Sequence, residues 1–595
     1  MLNTVTVRTH PARKPISSRA LLLLTSLSAF SAQAQTPPTS PTGQPRPDAG
    51  TILDSTRQPV QPVPQLPRNV LPKDGATPNA VADSTPVAVK RLEIEGATLI
   101  PADQLRALVA DLEGKTVTFG ELRAGAERIT KQYVAAGYFL SRALIPPQDA
   151  KDGVIRIRVV EAKYGNVKVV PSRNAPSFAL NPDRASALLA AQGAAPGAPV
   201  QRANLERGLY LLNDLPGVEA DASLAAGATP GTTDASVNLK QPRPVTGSVS
   251  LDNLGNRYTG AFRLGAGISL NSPLGVGDRL YANANASSGA KFITGGYTLP
   301  VGLDGLKLGV NASSLSYKLC CLFATVGAQG RVNTAAATVT YPFILSQAQT
   351  LVGGFSYERR RAVDDVTAGN FSDRKIGVST ANLNWVTSDT LGGINNLNAA
   401  VTFGNLNLDG NAFNATNDGA TARTAGGYAK WRASFARLQQ FGERHSLLLR
   451  LSGQGARKNL DSSEKMSIGG YDGVRAYPQG EAAGDEALLA SVEYAYALPV
   501  QVPGRIQVSS FLDAGHVRLN KSIWPGFQGP RLNLPNSYSL AGAGLGLNWS
   551  LPQDFSVNLN VATKLGKNPG RSLNGEDADG YARSTRWWLV MSKSL

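Results

Sequence analysis

From about residue 243 to the C-terminus, helical periodicity is absent and the side chains alternate between apolar and polar. In AFRLGAGISLN, Phe262, Leu264, Ala266, Ile268 and Leu270 share one face, while Arg263, Gly265, Gly267, Ser269 and Asn271 share the other. LYANANAS, SLLLRLSGQ and FSVNLNVAT repeat the pattern. A period of two is the signature of strands with two unlike faces. Turn signals divide the region into sixteen strands near residues 245, 260, 277, 290, 306, 329, 349, 375, 395, 423, 444, 487, 505, 537, 554 and 582, about 22 residues per strand and connection. A tilted membrane strand needs about 9–11 residues, so each segment is long enough to cross a bilayer. Connections after even-numbered strands are short, as in NSPLG and LPQDF; those after odd-numbered strands are often longer, with 458–486 the longest. An even strand count, two unlike faces and a short/long rhythm predict an outer-membrane barrel. A soluble propeller or sandwich also alternates, but it should show blade repeats or a polar outer face, and the sequence has neither.

The N-terminus supports export. Arg8, Arg13, Lys14 and Arg19 precede the apolar ALLLLTSLSAFSA, and AQA at Ala32–Ala34 offers a cleavage site, so residues 1–34 read as a signal peptide. Its removal lowers the formal charge from +16 to +12. The remaining basic groups are spread along the chain, without an RNA-binding signature or zinc-finger spacing, so no nucleic-acid partner is expected. Enzymatic chemistry is not expected either. The mature histidines are His445 and His516, G-x-S-x-G is absent, and EGKT at Glu113–Thr116 has Val109 where a P-loop requires its first glycine. No cofactor or metal is implied. Cys320 and Cys321 are adjacent, which suits no C-x-x-C chemistry; the expectation is two loop residues without a special role, and a vicinal disulfide is the alternative.

Residues 35–87 contain twelve prolines and read as a linker, with a helical turn or two in AGTILDSTRQ at about 48–58. Residues 88–163 change character. VAVKRLEIEG reads as a strand, PADQLRALVADLEG as a helix, and TFGELRAGAERITKQYVAAGY as a helix opened by the capping box Thr118-x-x-Glu121. YFLSRALIP and GVIRIRVVEAK follow as strands. Residues 164–242 repeat the order more loosely, with YGNVKVV, two helices and a closing ASVNLKQ. Two tandem small α+β modules therefore precede the barrel at 243–595.

In the longest loop, Arg475 stands between Val474 and Ala476, followed by Tyr477. Strand thirteen, RIQVSSFLDAGHV, sets Phe511, Asp513 and Gly515 on the lumen face if Ile506, Val508, Leu512 and Ala514 face lipid. An isolated carboxylate in a narrowed lumen is costly and should seek a partner. If the loop folds inward, Arg475 can answer Asp513; Glu493, on the lumen face of strand twelve, is the competing acid, and a solvated Arg475 is the bland reading.

VRAYPQGE resembles the Val-Arg-Gly-Tyr loop motif of the two-partner secretion transporters (the TpsB family, of ShlB, FhaC and HecB type), and FLDAGHV resembles their Phe-x-Asp-x-Gly strand. LERGLYLLNDLPGV and YKLCCLFATVGAQG are also similar to family patterns. Ala476 replaces the motif's glycine, and Leu595 ends the chain where outer-membrane barrels usually carry an aromatic residue. The resemblance covers nearly the whole mature chain. It implies two periplasmic POTRA modules, a 16-stranded antiparallel transmembrane β-barrel in the bacterial outer membrane, a plug helix near 48–58, and an inserted loop whose Arg475 pairs with Asp513. The implied function is recognition and secretion of a large partner exoprotein, such as a haemolysin or filamentous adhesin, with activation of that client left open. The implied surroundings are outer-membrane lipid and lipopolysaccharide, with the chain as a monomer. The alternatives are an insertase of the same superfamily and a passive porin; the latter leaves residues 88–241 without a purpose.

Overall fold

The computed structural model describes residues 46–56, 70, 84–149, 152–172, 179–241, 243–531 and 533–595. The expected signal peptide and most of the expected linker lie outside the described residues. Helix α1 (Ala49–Thr56) comes first in the chain. Eight residues are too few for a stable isolated helix, so its stability must come from what it packs against.

The first α+β module follows: β1 (Pro86–Val89), β2 (Arg91–Glu95), α2 (Ala102–Ala107), β3 (Lys115–Thr118), α3 (Phe119–Ala135), β4 (Arg142–Leu144) and β5 (Val154–Val160). The strand expected over VAVKRLEIEG divides at Lys90, and its halves join different sheets. β1 pairs with the unanticipated β3, whereas β2 runs parallel to the central strand β5. Helix α3 starts at the expected capping box: the Thr118 hydroxyl accepts the Glu121 N–H at 3.1 Å, and the Glu121 carboxylate accepts the Thr118 N–H at 2.7 Å. Leu122, Ala126, Ile129 and Tyr133, at helical spacing, bury one stripe of α3 against Leu92, Ile155 and Ile157. Each such large apolar side chain contributes roughly 1.5–3 kcal/mol.

The second module contains β6 (Lys163–Pro171), α4 (Pro182–Ala191), α5 (Arg202–Asn213), β7 (Glu219–Ala226) and β8 (Thr232–Lys240), with sheet order β6-β8-β7. Strand β7, EADASLAA, escaped sequence reading because Ala and Asp are poor strand formers; its place comes from pairing with β8 along eight residues.

The barrel strands are β9 (Val245–Asp252), β10 (Arg263–Asn271), β11 (Arg279–Ala286), β12 (Ala290–Val301), β13 (Leu306–Lys318), β14 (Gln329–Leu345), β15 (Gln349–Val366), β16 (Gly369–Ser388), β17 (Gly393–Asn407), β18 (Gly426–Phe441) and β19 (His445–Ala456). A two-residue ribbon, β20 (Met466–Ser467) with β21 (Ala483–Gly484), interrupts them. β22 (Glu486–Ala497), β23 (Arg505–Arg518), β24 (Ser537–Leu551), β25 (Phe555–Lys564) and β26 (Thr585–Ser594) complete the wall. Its sixteen strands begin within six residues of the positions read from turn signals. Every neighbour pair is antiparallel, and β26 closes on β9 through only five residue pairs, against eight between β9 and β10. Outward residues such as Leu264, Phe403 and Leu545 are exposed, as a lipid-facing surface requires, while Arg263, Arg374 and Asp513 point inward and are buried. A short helix, α6 (Ala412–Ala420), in the connection between β17 and β18 was not anticipated.

The second module docks on the short-turn end of the wall. The Arg184 guanidinium donates to the carbonyls of Val276 and Pro300 at 3.1 Å each, and Lys307 pairs with Asp214 at 2.5 Å. The long connections, including 457–485, therefore leave from the opposite end.

Candidate functional site

The loop between β19 and β22 folds back into the barrel instead of standing above it. Its tip is Val474, Arg475, Ala476 and Tyr477, all at most 5% exposed. Arg475 donates through Nε and Nη2 to the two carboxylate oxygens of Asp513, at 2.9 and 2.8 Å. The backbone N–H of Arg475 reaches the same carboxylate at 3.1 Å, and Nη1 reaches Glu493 at 2.9 Å. Ser491 donates to Asp513 at 2.8 Å, filling a remaining lone pair. The guanidinium lies over Phe511, 3.3 Å from the ring centroid, and the Trp588 indole donates to the Arg475 carbonyl at 2.7 Å. Asp513 and Glu493, competitors in the sequence, thus hold the same cation, with Asp513 taking the bidentate share.

Close approach depends on glycines in the wall. A Cβ at Gly542 would stand 2.7 Å from the Cβ of Ala476, and one at Gly515 would stand 3.1 Å from the Cβ of Ile468. The wall supplies the room for Ala476, so the extra methyl at the tip is accommodated by Gly542. Ser491 and Trp588 were missed in the sequence. Ser491 stands two residues before Glu493 and shares its lumen face, so alternation marks it; Trp588 sits in a tryptophan pair where the pattern alone assigns no partner.

Further charges anchor the loop. Glu464 accepts from Arg360 at 3.0 Å and Lys430 at 2.7 Å, and Lys465 pairs with Asp485 at 3.0 Å. Glu481 accepts from the Asn568 amide at 3.0 Å and from the Ala578 N–H at 2.6 Å. Burial, reinforced by the neighbouring Asp577, pushes the Glu481 carboxyl up to about 7.

Helix α1 lies against this loop, at the place expected for a plug. Asp48 caps it by accepting the Thr51 N–H at 2.9 Å. The same carboxylate accepts from Arg374 at 2.9 Å and from the Ser462 hydroxyl of the loop. Burial alone would raise the Asp48 carboxyl, but Arg374 and these hydrogen bonds outweigh it and hold the group at about 2. Arg374 also pairs with Asp364 of the wall at 2.7 Å and Asp461 of the loop at 2.9 Å. Ala49 and Ile52 pack on Leu315, Tyr317, Val332 and Ala362. Gly50 abuts the loop, since a Cβ there would meet Ser463 N at 2.5 Å. Arg263, paired with Asp252 at 2.7 Å, donates to the Ser55 carbonyl near the helix end.

The cysteines require a correction. They form a vicinal disulfide, Cys320–Cys321, between β13 and β14. The Cys320 N–H donates to the Tyr258 carbonyl at 2.8 Å, and Phe323 packs edge-on against Tyr258 beside the helix. Cys321 adopts φ 62°, in the left-handed region, and the pair forms part of a loop tucked against helix α1 rather than a free surface turn.

A closed barrel carrying α+β modules at one end, with a helix and an inward loop held by ion pairs in its lumen, defines an outer-membrane protein transporter of the POTRA-plus-barrel class. Residues 231–549 match the haemolysin secretion/activation protein family ShlB/FhaC/HecB, and residues 87–162 match the ShlB-type POTRA domain. The chain belongs to that family. It is 26% identical over 501 residues to the heme/hemopexin transporter protein HuxB of Haemophilus influenzae (strain 86-028NP), covering 83% of this chain and 85% of the relative. It is 23% identical over 501 residues to the outer membrane transporter CdiB of Escherichia coli O6:K15:H31, covering 80% and 82%. Among solved structures, CdiB from Escherichia coli superposes with a TM-score of 0.69 at 19% identity, over 92% of this chain and 96% of that one. CdiB from Acinetobacter baumannii superposes with 0.61 at 16% identity, over 97% of each. The protein is thus an outer-membrane transporter that secretes a partner exoprotein, not an enzyme.

Proposed function

We propose that the chain recognises one large exoprotein, such as a haemolysin or filamentous adhesin, through its POTRA modules and passes it unfolded through the barrel as a monomer. Recognition is by strand addition to an open sheet edge, where main-chain hydrogen bonds require little sequence from the client. In the second module β7 already receives a linker contact, the Ala222 N–H donating to the Val70 carbonyl at 3.3 Å. The start of β6 is covered by residues 197–199, so the edge of β6 beyond Tyr164 and those of β2 and β4 remain for a client. Sixteen strands enclose room for an extended chain once the lumen is cleared.

The observation that carries this reading is the way the lumen is closed. Helix α1 and the loop are fastened by ion pairs on Arg374, Arg475 and Glu464. An arriving polypeptide can exchange such contacts, and a passive pore has no use for them. The Arg475–Asp513 pair is the loop's latch: it keeps the tip docked at rest and sets the geometry in which the loop moves. Folding of the client outside the cell makes passage one-way without a nucleotide. Deleting the gene and comparing the proteins in the culture medium tests the reading. One large exoprotein should disappear and return on complementation; an unchanged medium together with loss of other barrels from the outer membrane would favour an insertase instead.

A further inference from the structure

On the outside of the barrel, at the end away from the POTRA modules, there is a hollow of about 910 Å³ over β17 to β24. Its lower wall is apolar. Phe403, Trp431 and Leu488 face outward and are each more than half exposed. A glycine forms its floor: a Cβ at Gly455 would stand 2.5 Å from the Trp431 indole nitrogen, so the ring lies across the bare backbone.

The upper wall is charged. Arg518 stands opposite Glu486 in the ladder, and their side chains pair at 3.2 Å. Lys521 pairs with the same carboxylate at 2.5 Å, so Glu486 gathers two cations at the rim. Arg457, one residue beyond β19, lines the same hollow; it is exposed, and its guanidinium has no protein partner among the described residues. His516 lies one outward step below Arg518, hydrogen-bonded to Ser537 and Ser539 at 2.8 and 2.9 Å. Three permanent cations and one carboxylate leave an excess of two positive charges above a greasy slot.

Outward-facing charge is unfavourable beside lipid tails and becomes tolerable near headgroup level. A net positive cluster there, directly above aromatic and leucine side chains, is complementary to a ligand with anionic groups on top and acyl chains beneath. Guanidinium groups suit phosphate because their fork geometry matches two of its oxygens. We infer that this hollow binds a phosphorylated glycolipid of the outer leaflet, its phosphates against Arg457, Arg518 and Lys521 and its acyl chains along Trp431, Phe403 and Leu488. The site rests on the outer-membrane placement of the barrel. It lies on the lipid side of the wall and uses none of the luminal contacts.

The test uses full-length protein purified in detergent from outer-membrane fractions, with diphosphorylated lipid A as the probe and native mass spectrometry or thermophoresis as the readout. Wild type should bind it saturably, and the triple variant Arg457→Ala/Arg518→Ala/Lys521→Ala should bind about a hundredfold more weakly, on roughly fivefold per basic group. Gly455→Leu, which fills the hollow without changing charge, should also weaken binding. Dephosphorylated lipid A should bind wild type and the triple variant equally poorly. Heat-modifiable mobility verifies that each variant is a folded barrel. Equal affinity of wild type and triple variant would overturn the proposal, as would displacement of the glycolipid by millimolar inorganic phosphate. Absence of the protein from the outer-membrane fraction would instead refute the placement on which the site rests, so the two failures are distinguishable.

Discussion

Replacing Asp513 by alanine tests the loop latch most directly. In the wild type its carboxylate accepts from Arg475 Nε, Nη2 and N–H and from Ser491, all within 2.8–3.1 Å, at 3% exposure. Asp513→Ala leaves the Arg475 guanidinium buried with Glu493 as its one carboxylate partner, at 2.9 Å. Breaking a buried pair costs roughly 3–5 kcal/mol. Glu493 retains part of the charge compensation and its side chain is partly exposed, at 19%, so the low end, about 3 kcal/mol, applies. That shifts the docked-to-undocked ratio of the loop tip by about 150-fold, and adding Glu493→Gln should carry it towards the upper end. The closed wall is untouched, so heat-modifiable mobility should persist while secretion falls below detection. In planar bilayers the variant should show more frequent and larger open events than wild type. Arg475→Ala should behave alike, and Arg475→Lys, which cannot make the bidentate pair, should fall between. Normal secretion and unchanged conductance in both Arg475→Ala and Asp513→Ala would refute the latch.

Gly542→Val leaves every charge in place but drives a side chain into Ala476, so it should undock the tip and reproduce the conductance phenotype of Arg475→Ala. Asp48→Ala removes a cap worth about 1 kcal/mol together with one partner of Arg374; bilayer recordings should show a raised baseline conductance, while loop crosslinks across the 475–513 contact persist. Glu481 has a folded-state value of about 7, above the ordinary carboxylate range, because it is buried beside Asp577. The protonated form is therefore favoured by docking. Docking is strongest below the undocked value, weakens as pH rises to about 7, and by linkage is destabilised by roughly 3 kcal/mol above it. Protease sensitivity of the loop should accordingly rise between about pH 4.5 and 7 and level off beyond, and Glu481→Gln should flatten that profile.

Much of this architecture was legible in the sequence because a membrane barrel obeys one strict rule. Lipid outside and water inside impose a two-residue period, so the strand starts and the inward aim of Asp513, Phe511 and Gly515 could be read from spacing. The small modules were harder. The break at Lys90 and the Ala-rich strand β7 depend on which neighbour a segment pairs with, and that partner is distant in sequence. The luminal contacts were harder still. Nothing local marks Arg374 or Asp364 for a role; only the position of helix α1, some three hundred residues earlier, gives them their company. The cysteines were misjudged for the same reason, since nothing local shows that their loop is tucked against Tyr258.

Arg374 has one consequence for how the channel clears. A single cation is shared by acids from the helix, the wall and the loop. When Asp48 withdraws, that cation has two claimants instead of three, and the mutual repulsion among the acids falls. Asp461 is then gripped harder, not less; the loop loses its Ser462 hydrogen bond to Asp48 and its packing on Gly50, but the Arg475–Asp513 and Arg360–Glu464 pairs still tie it to the wall. On the proposed reading the bore clears in stages, the helix first and the loop after it, so bilayer recordings of wild type should show an intermediate level of ion flow between the closed and fully open states.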